Sequence, residues 1–244
     1  MKILFSPSES KTNIDSNKNI SKNCFIFEDL FDKRMKIINI YNEFIKNSTE
    51  KDLCKLFGLK TYNDSLRYDL FEKGCIKAIL RYNGVGYKYL DYLNLDEYSQ
   101  KYIDNNVLIF SNLFGPILAK DMIPEYKLKQ GERIQKLNIE KFYKDNFSLY
   151  IDEFLKDEVV LDLRAGYYEK FYDIKKEYFS FKFIKNGKVV SHFAKAYRGI
   201  LLKELASNNT NTKDELMNLN IEGLKLLEIR KIKSKNELIF EIIG

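Results

Sequence analysis

The sequence predicts an α+β fold, a single mixed domain spanning residues 1–244, helical in its N-terminal half and closing on strand hairpins. Three observations carry that reading. Apolar residues recur at steps of three and four between Glu28 and Lys46. Short apolar runs bounded by turn residues crowd the second half. These strands do not alternate regularly with helices, as a doubly wound sheet would require. The chain is 45% hydrophobic and 14% aromatic, with only 3 Pro and 11 Gly. That is enough apolar material for a substantial core, and it excludes a disordered or linker-like chain.

The elements follow in order. Lys2–Phe5 reads as a first buried strand, and the polar run from Ser8 to Asn23 as a loop. Leu30, Phe31, Met35, Ile38, Tyr41, Phe44 and Ile45 form one apolar stripe, so Glu28–Lys46 is a helix. Thr49 with Asp52 starts a second helix that Gly58 closes. Asn63 or Asp64 starts a third, to about Glu72. Gly74 interrupts, and Cys75–Tyr82 forms a short helix before the turn Asn83-Gly84-Val85-Gly86. Tyr87–Leu93 is the returning helix and Asp96–Ile103 another. Val107–Phe110 and Val159–Leu163 read as strands. Tyr178–Ile184 and Lys188–Phe193 flank Asn186-Gly187, a dipeptide suited to a type I′ turn because both central residues need positive φ. Lys195–Ala206 and Asp214–Leu219 are helices. Leu224–Ile229 and Leu238–Ile243 close the chain as an antiparallel pair.

The net charge is +6, from 41 Lys and Arg against 35 Asp and Glu. A moderately basic chain permits a polyanionic partner without demanding one. No stretch reaches the roughly 18 apolar residues of a membrane span, and the start of the chain lacks a signal-peptide core. A cytoplasmic location with no membrane partner is expected. The three cysteines (Cys24, Cys54, Cys75) are dispersed, and His192 is the one histidine. Neither a zinc cluster nor a disulfide framework follows. Buried reduced thiols are the plain reading, and a peroxide-sensing thiol is the sharper one. No metal site and no cofactor are expected.

Four segments concentrate the chemistry: Ser6-Pro7-Ser8-Glu9-Ser10-Lys11, Tyr82-Asn83-Gly84-Val85-Gly86-Tyr87, Asp162-Leu163-Arg164-Ala165-Gly166-Tyr167-Tyr168, and Ser191-His192-Phe193-Ala194-Lys195-Ala196-Tyr197-Arg198-Gly199. In the glycine turn, backbone freedom at positive φ would expose N–H groups to a phosphate, with Arg81 and Lys88 adding charge and Tyr87 packing below. A helix C-cap with a tight corner is the bland alternative. Ser8, Glu9 and Lys11 leave the first strand at its carboxyl end, where ligands tend to sit. A polar loop capping a neighbouring helix is the alternative. Asp162 and Arg164 share one strand face, either as an internal brace or with Arg164 presented to an anion. Lys195 and Arg198 stand three apart at an expected helix start, where cations oppose the helix dipole. An anion between them would resolve that conflict, as would a helix starting earlier. Ser191 and His192, adjacent on an expected strand, would point to opposite faces and could not pair as a catalytic dyad.

Together with Leu113-Phe114-Gly115, Asp121-Met122-Ile123-Pro124-Glu125-Tyr126-Lys127-Leu128 and Asn220-Ile221-Glu222-Gly223, these segments resemble, in order and spacing, the YaaA-type peroxide stress protein family. The resemblance implies a cytosolic bacterial protein with a compact fold and a basic cleft. It also implies DNA binding through a helix-hairpin-helix-like element and a link to peroxide survival and intracellular iron.

Two functions remain open at this level. The first is a non-enzymatic protein that binds double-stranded or distorted DNA by shape, with no obligatory protein partner. Its phosphate ligands would be Ser8, Lys11, Arg81, Gly84, Tyr87, Lys88, Arg164, Lys195 and Arg198. The second is an enzyme on a nucleotide-like or nucleic-acid substrate. Glu9 or Asp162 would then supply acid–base chemistry, and Lys11, Arg164, Lys195 and Arg198 would hold phosphate.

Overall fold

The computed structural model describes residues 1–243, and for Ser191 and His192 the backbone alone. The first strand, β1 (Lys2–Phe5), is buried along nearly its whole length. The loop after it runs to a 3₁₀ turn at Glu28–Leu30 and then to α1 (Phe31–Asn47), whose Ile37, Ile38, Tyr41 and Ile45 face the core at helical spacing. Thr49 caps α2 (Glu50–Phe57) by accepting from the Asp52 N–H, and Gly58 ends it at φ +67°.

The expected third helix is not formed. Two separate 3₁₀ turns, Asp64–Leu66 and Leu70–Glu72, stand there instead, each capped by its own Asn63 or Asp69 side chain. Side-chain capping of this kind competes with a continuous helix. The expected helix over Cys75–Tyr82 is likewise shortened. Ile76–Lys77 form β2, and α3 is Ala78–Arg81. The segment α4 (Val85–Leu90) begins within the expected glycine turn. The rest of the first half is α5 (Glu97–Asn106), β3 (Val107–Ser111), β4 (Gly115–Leu118) and β5 (Met122–Ile123).

The second half opens with α6 (Ile139–Leu155), a helix absent from the sequence expectation. Then come β6 (Val160–Leu163), β7 (Tyr178–Lys185) and β8 (Lys188–Val189). Asn186 and Gly187 take φ +50° and +72°, as the type I′ turn demands. The strand expected to Phe193 stops at Val189, because α7 (Ser191–Ser207) already starts there. After α8 (Lys213–Met217), the chain closes with β9 (Leu224–Ile232) and β10 (Lys235–Ile242), the expected antiparallel pair.

The sheet runs β4-β3-β1-β6-β7-β10-β9, with β8 paired to β7. Its five central strands are mutually parallel, and antiparallel strands occupy the edges. The fold is thus α+β with a mixed sheet, but the mixture is a parallel centre rather than a stack of hairpins. One continuous apolar cluster reaches from Met1 to Ile242. β6 and β7 pair through only two residues, Leu161 with Phe179 and Asp162 with Ser180. Beyond that point the sheet parts, while β1 and β6 end level at Phe5 and Leu163. Ligands in parallel sheets gather in crevices outside the carboxyl ends of strands.

Candidate anion-binding cleft

A cleft of about 430 Å³ lies at that place, lined by Phe5–Ser10, Gly84–Tyr87, Gln130, Leu163, Ala165, Tyr168, Lys195 and Arg198. Backbone bonds fix its floor. Ser6 Oγ accepts from the Ala165 N–H at 2.7 Å, tying the exits of β1 and β6 together. Tyr87 Oη donates to the Ser6 carbonyl at 2.9 Å, so this buried tyrosine positions the loop rather than facing solvent.

The glycines of the turn work by their lack of volume. Neither Gly84 (φ −104°) nor Gly86 takes positive φ. A Cβ on Gly84 would collide with the Ser8 side chain, so glycine lets the β1 exit loop lie against α4. A Cβ on Gly199 would run into the Gly86 backbone, and one on Gly86 would stand 3.0 Å from the Lys195 carbonyl. The pair Gly86–Gly199 therefore lets α4 and α7 cross in close contact, which carries Lys195 and Arg198 to the cleft.

The structure resolves the dipole conflict by the earlier helix start. Lys195 is the fifth residue of α7, beyond its first turn. Both cations still line the cleft, and among the described residues neither makes a hydrogen bond or ion pair. Arg198 is half-buried, and burial lowers its guanidinium below the ordinary value, with Asp162 and Glu169 partly restoring it. A partly desolvated cation without a partner is held at a cost that a bound anion would remove.

Lys11 sits behind the rim. Its Nζ donates to the carbonyls of Ser8 (3.2 Å) and Glu9 (3.3 Å) and lies 4.0 Å from the centre of the Tyr126 ring. Burial, with Lys127 nearby, pushes its ammonium down to about 7. Lys11 thus shapes the Ser8–Glu9 loop from beneath.

The other expected ligands are placed elsewhere. Arg81 is fully buried, and its guanidinium donates to the carbonyls of Thr12 (2.8 Å), Ile14 (2.7 Å) and Gly74 (3.1 Å). It straps the N-terminal loop to the body of the protein and, being fully buried, presents no surface to a phosphate. Arg164 is the internal brace. Its Nε and Nη2 donate to the two Asp162 oxygens at 2.9 and 2.8 Å, Nη1 reaches the Tyr168 and Tyr172 carbonyls, and the group lies 4.6 Å from the Phe110 ring centre. Both carboxylate oxygens of Asp162 are thereby occupied. Glu9 is exposed, and its Oε1 accepts from the Gln130 N–H at 3.2 Å. Lys88 is exposed on α4 outside the cleft lining.

The backbone of Ser191 and His192 is helical rather than strand-like, which removes the alternation expected there. The side chain of His192 lies outside what the structure describes. Among the described residues, no three His, Cys, Asp or Glu side chains form a metal-holding group, and no helix is long and apolar enough to cross a membrane. The cleft also contains residues not assigned from sequence. Ser6 and Tyr168 lie inside the motifs already singled out, whereas Gln130 comes from a stretch with no motif or periodicity to mark it.

Comparison with known proteins gives the chain a family context. The family described as peroxide stress protein YaaA matches residues 1–229. A protein of Campylobacter jejuni is 51% identical over 245 residues, covering 100% of both chains. A UPF0246 protein of Fusobacterium nucleatum is 33% identical over 93% of each chain. Another, of Malacoplasma penetrans, is 28% identical over 99% of this chain and 96% of its own.

Proposed function

The chain belongs to the peroxide stress protein YaaA family, and from that premise we propose that it is a DNA-binding protein of the peroxide response that grips phosphate in the cleft between β1 and α7. The observation that carries this reading is the pair Lys195 and Arg198, both without partners among the described residues. They line a concave space shared with the hydroxyls of Ser6 and Ser8 and the side-chain-free surface of Gly84. Lys11 holds the Ser8 loop in place for that contact, and Lys88 adds attraction from the exposed face of α4.

Helix-hairpin-helix character rests on α3, the Tyr82–Gly84 turn and α4. At four and six residues these helices are short, so the turn serves as a rim for close approach of the DNA backbone. A regular duplex presents its phosphates on a convex surface. A concave cleft favours a sugar–phosphate unit displaced from that surface, as at a bulge or junction, which makes recognition depend on DNA shape. Protection from peroxide would follow from occupancy of such sites, and an effect on iron would be indirect.

The enzymatic alternative is weaker. Asp162 is neutralised by Arg164, and Glu9 is exposed with one oxygen on the Gln130 N–H, so neither is an enclosed, unpaired carboxylate of the kind acid–base work favours.

Fluorescence anisotropy with labelled duplex, bulged and junction DNA, at low and near-physiological salt, tests the reading. The expected result is tighter binding to the distorted forms, with affinity falling steeply as salt rises. Weak binding indifferent to DNA shape would overturn it.

A further inference from the structure

Two thiols lie away from the cleft and take no part in it. Cys24 and Cys75 are both free and buried, Cys75 completely and Cys24 with 8% of its surface exposed. Their thiols are hydrogen-bonding neighbours. The backbone enforces the approach through two consecutive residues. The Cys75 N–H donates to the Lys18 carbonyl at 2.6 Å, and the Cys24 thiol faces the Asn19 carbonyl at 3.6 Å. Ser16 Oγ donates to the Cys75 carbonyl at 2.7 Å, and Ser21 Oγ lies 3.3 Å from Cys24 Sγ. Gly74 is required beside them, since a Cβ there would strike the Ser16 backbone.

The environment differentiates the two sulfurs. The Cys75 thiol, then Ser21 and Lys18, lower the Cys24 thiol against the opposing effect of burial. Cys75, donating that hydrogen bond from a buried site, is pushed well up. The pair therefore places one thiol nearer the surface, with the Ser21 hydroxyl beside its sulfur, and one wholly buried thiol behind it, the arrangement of an attacking and a resolving cysteine.

We propose that Cys24 and Cys75 form a hydroperoxide-reactive dithiol, in which Cys24 is oxidised first and Cys75 closes an intramolecular disulfide. Cys24 gives up its thiol proton, and its sulfur attacks one oxygen of a hydroperoxide and bonds to it. The O–O bond breaks, the leaving oxygen takes a proton and departs as water or an alcohol, and Cys24 becomes a sulfenic acid. The Cys75 sulfur then attacks Cys24 Sγ, forming the S–S bond. The Cys75 proton and the sulfenic oxygen with its hydrogen leave together as water. The hydroperoxide is reduced by two electrons and the two thiols are oxidised by two. This site is separate from the cleft and does not depend on the DNA reading.

The test uses the full chain. The protein is treated with a small excess of hydrogen peroxide, alkylated without reduction, and examined by intact mass and peptide mapping. The expected result is a mass lower by two hydrogens, a single Cys24–Cys75 linked peptide, and Cys54 fully alkylated. Cys54→Ser should form the same link. In Cys75→Ser, a dimedone adduct should accumulate on Cys24. Three alkylated cysteines after treatment, or a disulfide that includes Cys54, overturns the proposal. So does a folded Cys75→Ser variant without the Cys24 adduct. The map of the unsubstituted protein decides the matter even if a variant does not fold.

Discussion

Lys11 shows how one residue's surroundings set its charge near neutral pH. Its ammonium is held down to about 7 by burial and by Lys127, whereas in the unfolded chain it returns to about 10.4. Between those values the unfolded state binds a proton that the native state does not. Stability therefore rises as pH goes from about 7 to about 10, the cost of the buried charge being fully present below 7. Thermal melts across that range should show the rise in the native protein and its loss in Lys11→Met. An identical pH dependence in the two would contradict the assignment. The arginines carry a second lesson at this scale. Arg164 and Arg198 sit in motifs that contain glycine and tyrosine and Arg81 stands just before one, and nothing in those motifs separates their roles. Burial does: Arg81 and Arg164 are spent on carbonyls and on Asp162, and Arg198 alone of the three is left without a partner among the described residues. Arg81→Lys removes the planar fork from its buried carbonyls and should lower stability by about 2–4 kcal/mol, measured by denaturant unfolding.

At the level of elements, the crossing of α4 and α7 is the feature that builds the cleft. It depends on Gly86 and Gly199 meeting backbone to backbone. Gly199→Ala should cost about 1–3 kcal/mol by forcing the helices apart, and it should weaken DNA binding because Lys195 and Arg198 move with α7. Gly84→Ala makes a contrast. Its Cβ meets the Ser8 side chain on a loop, so anisotropy should show weaker binding while the melting temperature changes little. Elements with strong local signals were legible in the sequence. The Thr49 cap and Gly58 stop of α2, the apolar stripe of α1 and the Asn186-Gly187 turn stand where local chemistry puts them. The long helix α6 carries an equally regular series, Ile139, Tyr143, Phe147, Ile151 and Leu155, yet the sequence expectation has no element there. The parallel centre of the sheet was not legible, because parallel pairing depends on crossover paths that local periodicity does not encode. The boundary of α7 was hidden for a related reason. Val189 to Phe193 fits a strand as readily as a helix start, and only packing on α4 selects the helix.

Across the whole molecule, a net charge of +6 is spread over a surface rich in lysine. Such a charge attracts any polyanion at low salt, so binding alone does not identify the cleft. What would distinguish the cleft, on the proposed reading, is a contribution to phosphate binding from Lys195 and Arg198 specifically. All four motifs in the sequence contribute to the lining of this site, through Ser6–Ser10, Gly84–Tyr87, then Leu163, Ala165 and Tyr168, and Lys195 with Arg198. The sequence also nominated Asp162 and Arg164 within those motifs and Arg81 just before the glycine turn, and all three turn inward to brace the fold. The salt dependence of junction-DNA binding, compared among the native protein, Arg198→Gln and Lys195→Gln, tests the central claim most directly. Each substitution should reduce the slope of log affinity against log salt by about one phosphate contact and weaken binding across sequences. Slopes and affinities unchanged in both variants would contradict the claim and leave the general surface charge as the source of binding.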